Sequence, residues 1–464
     1  MTNASGLTQP SDVVEAALAA SRASGCVVIV HDRSEAEVRF ANSTTTSNGV
    51  RRSRRVTVVS TVPVDDGVAA GVASRSGAVD VEALVRASEA AAHAAPPADD
   101  AAPLLDGTTE AGFDARPEET DLSVLRDVLA ALPGAFERAA RVDAVLAGFA
   151  HHAVASTCLG TSTGLRRRHV LPVGTIELVA RADGGANSAW VGAGTRDFAD
   201  VAVDALAAEL ERRLAWGQRR VELPAGRYDV VLPPSAVADL ALYLGWTLSG
   251  TEAEEGRSVF SRPGGGTRVG ERLSPLAFEL RSDPAEPGLE CDPFLWVTAS
   301  SAEASVFDNG LALARTEWIR DGRLQRLYHH RAGAAKLGVE VGVPGGNLAL
   351  ELPGATGDVE SLREGVERGL LLTCLWYIRE VDPATLLLTG LTRDGVYLVE
   401  HGEVTGAVNN FRFNESPVDL LARATHVGAM TRTLGREFGE GASLTAMPAL
   451  RVGDFNMSSV SPAS

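Results

Sequence analysis

Residues 236–250 read AVADLALYLGWTLSG, with one charge, Asp239, and apolar side chains on every face of the helix they would form. A helix with one polar face can lie on a protein surface, but one that is apolar all round must be enclosed by protein or by lipid. No apolar run in the chain reaches the ~18 residues that a spanning helix needs, so enclosure by protein is the expectation. The chain must then supply a core large enough to surround a helix. Its 464 residues and 45% hydrophobic content allow that, and the length suggests two or three domains. The stretch follows YDVVLPP, which has the composition of a buried strand.

Charge narrows the function. The net charge of −17 argues against a large phosphate-binding surface. Lys336 is the only lysine, which leaves little room for lysine-based catalysis. The four cysteines, Cys26, Cys158, Cys291 and Cys374, are far apart and lie in or beside apolar runs. They are expected to be reduced, buried thiols of a cytoplasmic protein. The opening MTNASGLTQPSD lacks a basic segment followed by an apolar one, so no secretory signal is expected.

The pattern predicts an α+β chain: an N-terminal mixed helix/strand region followed by a sheet-rich C-terminal domain. Four segments are expected. Residues 1–95 form an N-terminal α+β region, with Asn48-Gly49 turning a hairpin between EVRFAN and RRVTVVSTV. Residues 96–120 are rich in proline and acid and read as a linker. Residues 121–222 form a middle α+β region that closes on the helix DFADVAVDALAAELERRLAWG. Residues 223–464 form the sheet-rich domain, where Asp394-Gly395 and His401-Gly402 are expected to turn consecutive hairpins.

Few motifs carry chemistry. No histidine begins a His-Glu-x-x-His or His-x-x-Glu-His pattern, and no serine sits in a Gly-x-Ser-x-Gly elbow. In PGGGTRVGER, Glu271-Arg272 stands where a phosphate-binding loop needs lysine and a hydroxyl. The arginine clusters Arg51, Arg52, Arg54, Arg55 and Arg166, Arg167, Arg168 lack interleaved aromatics and read as a solvated edge strand or a subunit contact. In NNFRFNESP, Asn410, Arg412 and Asn414 would share one face of a strand. Such a row either hydrogen-bonds an extended peptide or satisfies neighbouring backbone.

Taken in order, RFANSTTTSNGV, GRSVFS, DNGLALARTEWIRDGRLQRLYHHRAGAAKLG and the run from GLLLTCLWYIREVDP to NNFRFNESP resemble the TldD/PmbA (TldD/TldE) family over essentially the whole chain. The resemblance implies a cytoplasmic metallopeptidase complex of two homologous subunits. The TldD type carries zinc on a His-Glu-x-x-x-His helix plus a later cysteine, and the TldE (PmbA) type lacks these ligands. Aligned on Gly245, Ala241 and Leu242 stand where the first histidine and the glutamate would be, and Trp246 where the second histidine would be. A shift by one residue offers Leu242, Tyr243 and Thr247 instead. No cysteine follows Cys374, and GREFGEGASLTAMPALRV fills the region of the late ligand.

The resemblance therefore implies a subunit with no catalytic residue and no metal of its own, with zinc in a TldD-type partner. Its expected ligand is an unfolded peptide enclosed between the two chains of a heterodimer. Neither a membrane nor a nucleic acid is an expected partner. Two alternatives stand beside it. One is a stand-alone hydrolase with a relocated site drawing on His329, His330, Cys291 or Asp308. The other is a nucleic-acid-associated regulator of the gyrase-modulator kind, prompted by the arginine clusters.

Overall fold

Strands β1 (Gly25–Ala41) and β2 (Thr44–Val64) form one long antiparallel hairpin. Its turn is Asn42-Ser43, with φ of 50° and 54°, and not the expected Asn48-Gly49. A two-residue turn with both residues left-handed matches the twist of the flanking strands, and asparagine tolerates that conformation. Asn48 and Gly49 lie inside β2, opposite Val38 and Glu37. Strand β3 (Gly67–Ser76) pairs with β2 only from Arg55 onward. The outer edge of β2 from Thr44 to Ser53 has no strand partner among the described residues, which are 9–439 and 443–461 of a computed structural model.

Helices α1 (Pro10–Ala20) and α2 (Val81–Ala94) flank this hairpin and its third strand. The same order recurs from α3 (Arg126–Ala140) through β4 (Val145–Thr161), β5 (Arg166–Ala182) and β6 (Asn187–Thr195) to α4 (Val203–Trp216). The halves join where β1 pairs antiparallel with β4, from Val27 opposite Thr161 to Phe40 opposite Gly148. One six-stranded sheet results, in the order β3-β2-β1-β4-β5-β6. Strand alternation assigns its two faces. Cys26, Val28 and Val30 pack on Val14 of α1 and Leu84 of α2, and Val38 and Phe40 pack with Leu132 of α3 and Leu210 of α4. The opposite face presents Val27 and Ile29 to Phe294 and Phe307. Residues of the proline-rich stretch, Ala98, Ala101, Leu104 and Leu105, pack on that same cluster.

Beyond β7 (Arg220–Val221) and β8 (Gly226–Leu232), helix α5 (Pro234–Trp246) enters the largest apolar cluster. That cluster draws on two further sheets, through Leu280, Leu350 and Met447 on one and Leu370, Phe411 and Phe455 on the other. His401-Gly402 turns a hairpin between strands Val396–Glu400 and Glu403–Val408, as the sequence predicts. Asp394-Gly395 does not. Leu387–Thr392 pairs with Leu375–Asp382 and Phe411–Glu415, whereas Val396–Glu400 pairs with Arg368–Leu372. The chain crosses between separate parts of one sheet there, with the Asp394 carboxylate anchored by the Ser188 hydroxyl of β6. Helix and strand are thus mixed throughout, with a sheet-rich C-terminal part.

Helix α2 docks on β3 through Gly71, whose missing Cβ would fall 2.0 Å from Ala92 N and 2.4 Å from Ser88 O. The Ser88 hydroxyl completes the contact by donating to Gly71 O, 2.8 Å away. Gly71→Ala is expected to lower stability by about 1–3 kcal/mol, because helix or strand must shift to admit the methyl. Gly49→Ala, with open space around it, should be near neutral. Urea unfolding midpoints of the two variants check this.

Candidate functional site

Helix α5 starts on Pro233-Pro234, where a missing N–H costs nothing, and ends at Trp246, where the Thr247 hydroxyl turns back on Tyr243 O at 2.8 Å. Ala241 and Leu242 are buried. Ala241 lines an apolar cavity of about 20 Å³ together with Leu240, Leu244 and Leu350. Zinc requires nitrogen, sulfur or carboxylate donors, and a methyl, an isobutyl and an indole supply none. The shifted positions fare no better. The Tyr243 hydroxyl donates to Ile378 O at 2.7 Å, and Thr247 is committed to its own helix. The side chains at these positions do not fit the ion. Among the described residues, no group of three or more His, Cys, Asp or Glu is placed to hold a metal.

One expectation for this helix fails. A helix apolar on all sides suggests that Trp246 is buried with its neighbours, yet it is 51% exposed. As the last residue of α5 it projects past the core. Its ring meets Phe438 edge-on at 4.5 Å and Tyr243 at 5.4 Å, and Phe438 meets Tyr243 at 5.5 Å. Phe438 belongs to residues 434–439, which overlap the segment that the family resemblance sets in the region of the late ligand. Helix and segment therefore meet, through three aromatic rings.

The segment is held by charge. Gly435 lets its backbone approach α5, since a Cβ there would lie 2.8 Å from Asp239 Oδ1. Asp239 is fully buried and accepts a hydrogen bond from Glu437 N at 2.8 Å. Its Oδ2 has no partner among the described residues. Burial pushes the Asp239 carboxyl well above the usual carboxylate range, against the backbone donors that favour its ionised form. Glu437 accepts from Tyr377 N at 2.7 Å and from Ile378 N and Arg379 Nη1 at 3.1 Å. Arg436 points the other way, to the N-terminal sheet. It pairs with Glu177 of β5 at 2.9 Å and lies over the rings of Trp190 and Trp376 at 5.4 and 4.7 Å. Glu177 also accepts from Trp190 Nε1 at 3.0 Å, and Asp394 stands 3.9 Å from Arg436. Sequence reasoning missed this cluster. Its only trace there is a charged pair between glycines in GREFGEG.

The other sequence candidates are dispersed. His329 is buried against Gly250, where any Cβ would strike its ring at 2.0 Å. His330 caps the helix Arg331–Leu337, its Nδ1 accepting from Gly333 N at 3.2 Å. Asp308 is consumed by Arg331, accepting from its N at 2.9 Å and its Nε at 2.7 Å. Cys291 packs on Gly346, and burial pushes its thiol up to about 11. All four cysteines are free and buried. Asn410 Oδ1 accepts from the Thr392 hydroxyl, and Arg412 donates to the Thr389 hydroxyl, both at 3.3 Å. Both contacts run to the neighbouring strand. Asn410 lines a cavity of about 220 Å³ with Asp394 and Asn409, and Arg412 and Asn414 do not line it.

The arginine clusters are largely paired within the chain. Arg54 forks onto Asp32 at 2.7 and 2.8 Å in a buried pair. Arg51 pairs with Glu35 and Arg52 with Glu119, both at 2.7 Å, and Arg166 pairs with Glu15 of α1 at 2.5 Å. No helix is long and apolar enough to cross a membrane among the described residues.

Residues 225–459 match the family model described as the PmbA/TldA metallopeptidase C-terminal domain. Three solved structures share the fold at low identity. TldE from Thermococcus kodakarensis superposes with a TM-score of 0.76 at 14% identity, covering 96% of this chain and 98% of that one. A candidate DNA gyrase modulator from Thermotoga maritima gives 0.73 at 17%, covering 93% and 95%. One from Bacteroides thetaiotaomicron gives 0.72 at 15%, covering 98% and 99%. No curated protein matches the chain.

Two outcomes are expected at this cluster. Arg436→Ala leaves Glu177 without its cation in a buried setting and should destabilise by about 3 kcal/mol, read by urea unfolding. Asp239 binds a proton more tightly folded than unfolded, so its contribution is fully present below the unfolded pKa and is lost as pH rises through the folded one. Asp239→Asn should flatten that decline, so the stability of the variant relative to the parent should improve from acid toward neutral pH. A difference independent of pH would show that Asp239 is ionised in the folded chain.

Proposed function

Because this chain belongs to the TldD/PmbA metallopeptidase family, we propose that it is the non-catalytic, TldE-type subunit of a two-chain zinc peptidase. In this reading it pairs with a zinc-bearing TldD-type homologue in the cytoplasm and helps enclose an unfolded peptide, and it holds no zinc itself. The observation that carries the reading is the chemistry of α5 where segment 434–439 meets it. The positions aligned with metal ligands are Ala241, Leu242 and Trp246, and the facing segment contributes a phenyl ring and an arginine committed to Glu177. The fold around them is kept whole, which suits a subunit whose task is shape and contact.

The relocated-hydrolase alternative finds no convergence. His329, His330, Cys291 and Asp308 each serve packing, capping or ion pairing, and the Cys291 thiol stays protonated near neutral pH. The nucleic-acid alternative is weakened by the carboxylates that meet Arg51, Arg52, Arg54 and Arg166.

Co-expression with a zinc-bearing homologue should give a complex that survives gel filtration, with peptide hydrolysis only when both chains are present. Separate elution at micromolar concentration, with the zinc chain fully active alone, would overturn the reading. Metal analysis of the isolated chain should find no stoichiometric zinc. Installing Ala241→His, Leu242→Glu and Trp246→His together should restore no hydrolysis. The larger loss of stability should come from positions 241 and 242, about 1–3 kcal/mol for each unpaired buried polar group, and the smaller from half-exposed position 246, which loses its ring contacts with Phe438 and Tyr243. Unfolding of the three single variants separates these shares.

A further inference from the structure

The face of the N-terminal sheet that turns toward the C-terminal body is only partly covered. Val27 and Ile29 pack there, and then the apolar cover stops. A cavity of about 420 Å³ follows, lined by Ile29, His31, Arg33, Arg51, Ser53, Arg55 and Trp296 among others. Cross-strand register builds it. His31 lies opposite Arg55, Arg33 opposite Ser53, and Glu35 opposite Arg51, all on this face. Three arginines thus flank Ser53 on this face, with Glu35 among them. Glu35 accepts from Arg33 Nε and from Arg51 Nε, both at 2.8 Å, and lies 3.3 Å from His151 Nε2. Arg54 turns to the other face, to Asp32. Glu35 alone cannot saturate the donors of three arginines, and with Asp292 behind Trp296 as the second carboxylate near the pocket, three guanidinium groups face two carboxylates in a chain of net charge −17. The wall is aromatic: His31 stacks on Trp296 at 4.8 Å and 28°, with Trp296 Nε1 fixed by Asp292 at 2.9 Å. Desolvation holds His31 below its usual pKa, so it adds an uncharged flat surface.

We propose that this pocket binds a carboxylate of an extended peptide between Arg33, Arg51 and Arg55, with the residue beside it against Ile29 and the His31–Trp296 stack. Planar guanidinium groups match a carboxylate in forked geometry, and the cavity admits a side chain or two, not a folded domain. A nucleic acid suits it less well, since Glu35 stands in the middle of the cluster and Glu37 and Glu119 lie close by. The inference takes its ligand class from the peptide-handling reading and rests on it, but it concerns this chain alone.

Calorimetric titration of the isolated chain with a short unstructured peptide carrying one central glutamate tests it. The same peptide with that glutamate replaced by glutamine, and the same peptide with an amidated C-terminus, supply the two comparisons. Loss of the carboxylate that occupies the pocket should weaken binding roughly tenfold or more, as for other hydrogen bonds to charged groups, and which peptide shows the loss tells side chain from chain end. Raising the salt should weaken the tight peptide and leave the weak one little changed. Arg33→Gln with Arg55→Gln should abolish the preference while circular dichroism and the melting transition stay close to the parent's. If that pair fails to fold, Arg55→Glu alone, at an exposed position, should do the same. Equal binding of all three peptides, a preference that survives these substitutions, or tighter binding of a single-stranded oligonucleotide than of the glutamate peptide would each overturn the proposal. A chain that assembles with a zinc subunit but shows no carboxylate preference would refute this inference and leave the partnership standing. The reverse result would do the opposite.

Discussion

Enclosing α5 removes nine of its thirteen residues from water, and the C-terminal part of the chain is arranged to make that possible. At roughly 25 cal/mol per Å² of apolar surface, even a few buried leucines on that helix outweigh any single polar contact nearby. Two sheets are needed because a helix apolar on all sides cannot be covered from one direction. Leu350 and Met447 approach from one sheet, Leu370 and Phe455 from the other. The strands that carry them are spread over residues 226–460, so this core closes only when most of the C-terminal half is in place.

The polar side of the same helix is small by comparison. Asp239 is carried into the core by the helix and finds its partners on residues 435–437, and a glycine is required at 435 to let them come close. From there the chain sends Arg436 across to Glu177 and Trp190 and Glu437 back to the amides of Tyr377 and Ile378. One short segment thus ties the N-terminal sheet, α5 and the C-terminal sheet together. Residues 435–437 act here as a structural tie.

What could be read from the sequence follows physical range. The burial of α5 was legible because its evidence is local, thirteen residues with one charge. The exposure of Trp246 was not, because composition cannot say where a helix leaves its core. Asn48-Gly49 has the better turn chemistry, but the hairpin turns at Asn42-Ser43, which sets Val56 and Val58 opposite Val30 and Val28 on the helix-covered face. Asp394-Gly395 looks like a hairpin turn until its carboxylate is seen to be held by Ser188, 206 residues earlier. Arg436 and Glu177 are 259 residues apart, and no spacing rule connects them. Ala241, Leu242 and Trp246 could be singled out only through family resemblance, since in isolation they are ordinary helix residues.

The unpartnered stretch of β2 carries a further consequence. An open strand edge is a template for pairing with any other extended chain, including the same edge of a second molecule. Here that edge ends in Arg51 and Arg52, both exposed. Arg51 and Arg52 are already met by Glu35 and Glu119 of the same chain, so their charges neither repel a second copy outright nor demand an acidic strand. What the edge offers is therefore its backbone from Thr44 to Ser53, which no strand covers among the described residues and along which an extended chain could be added as a further strand.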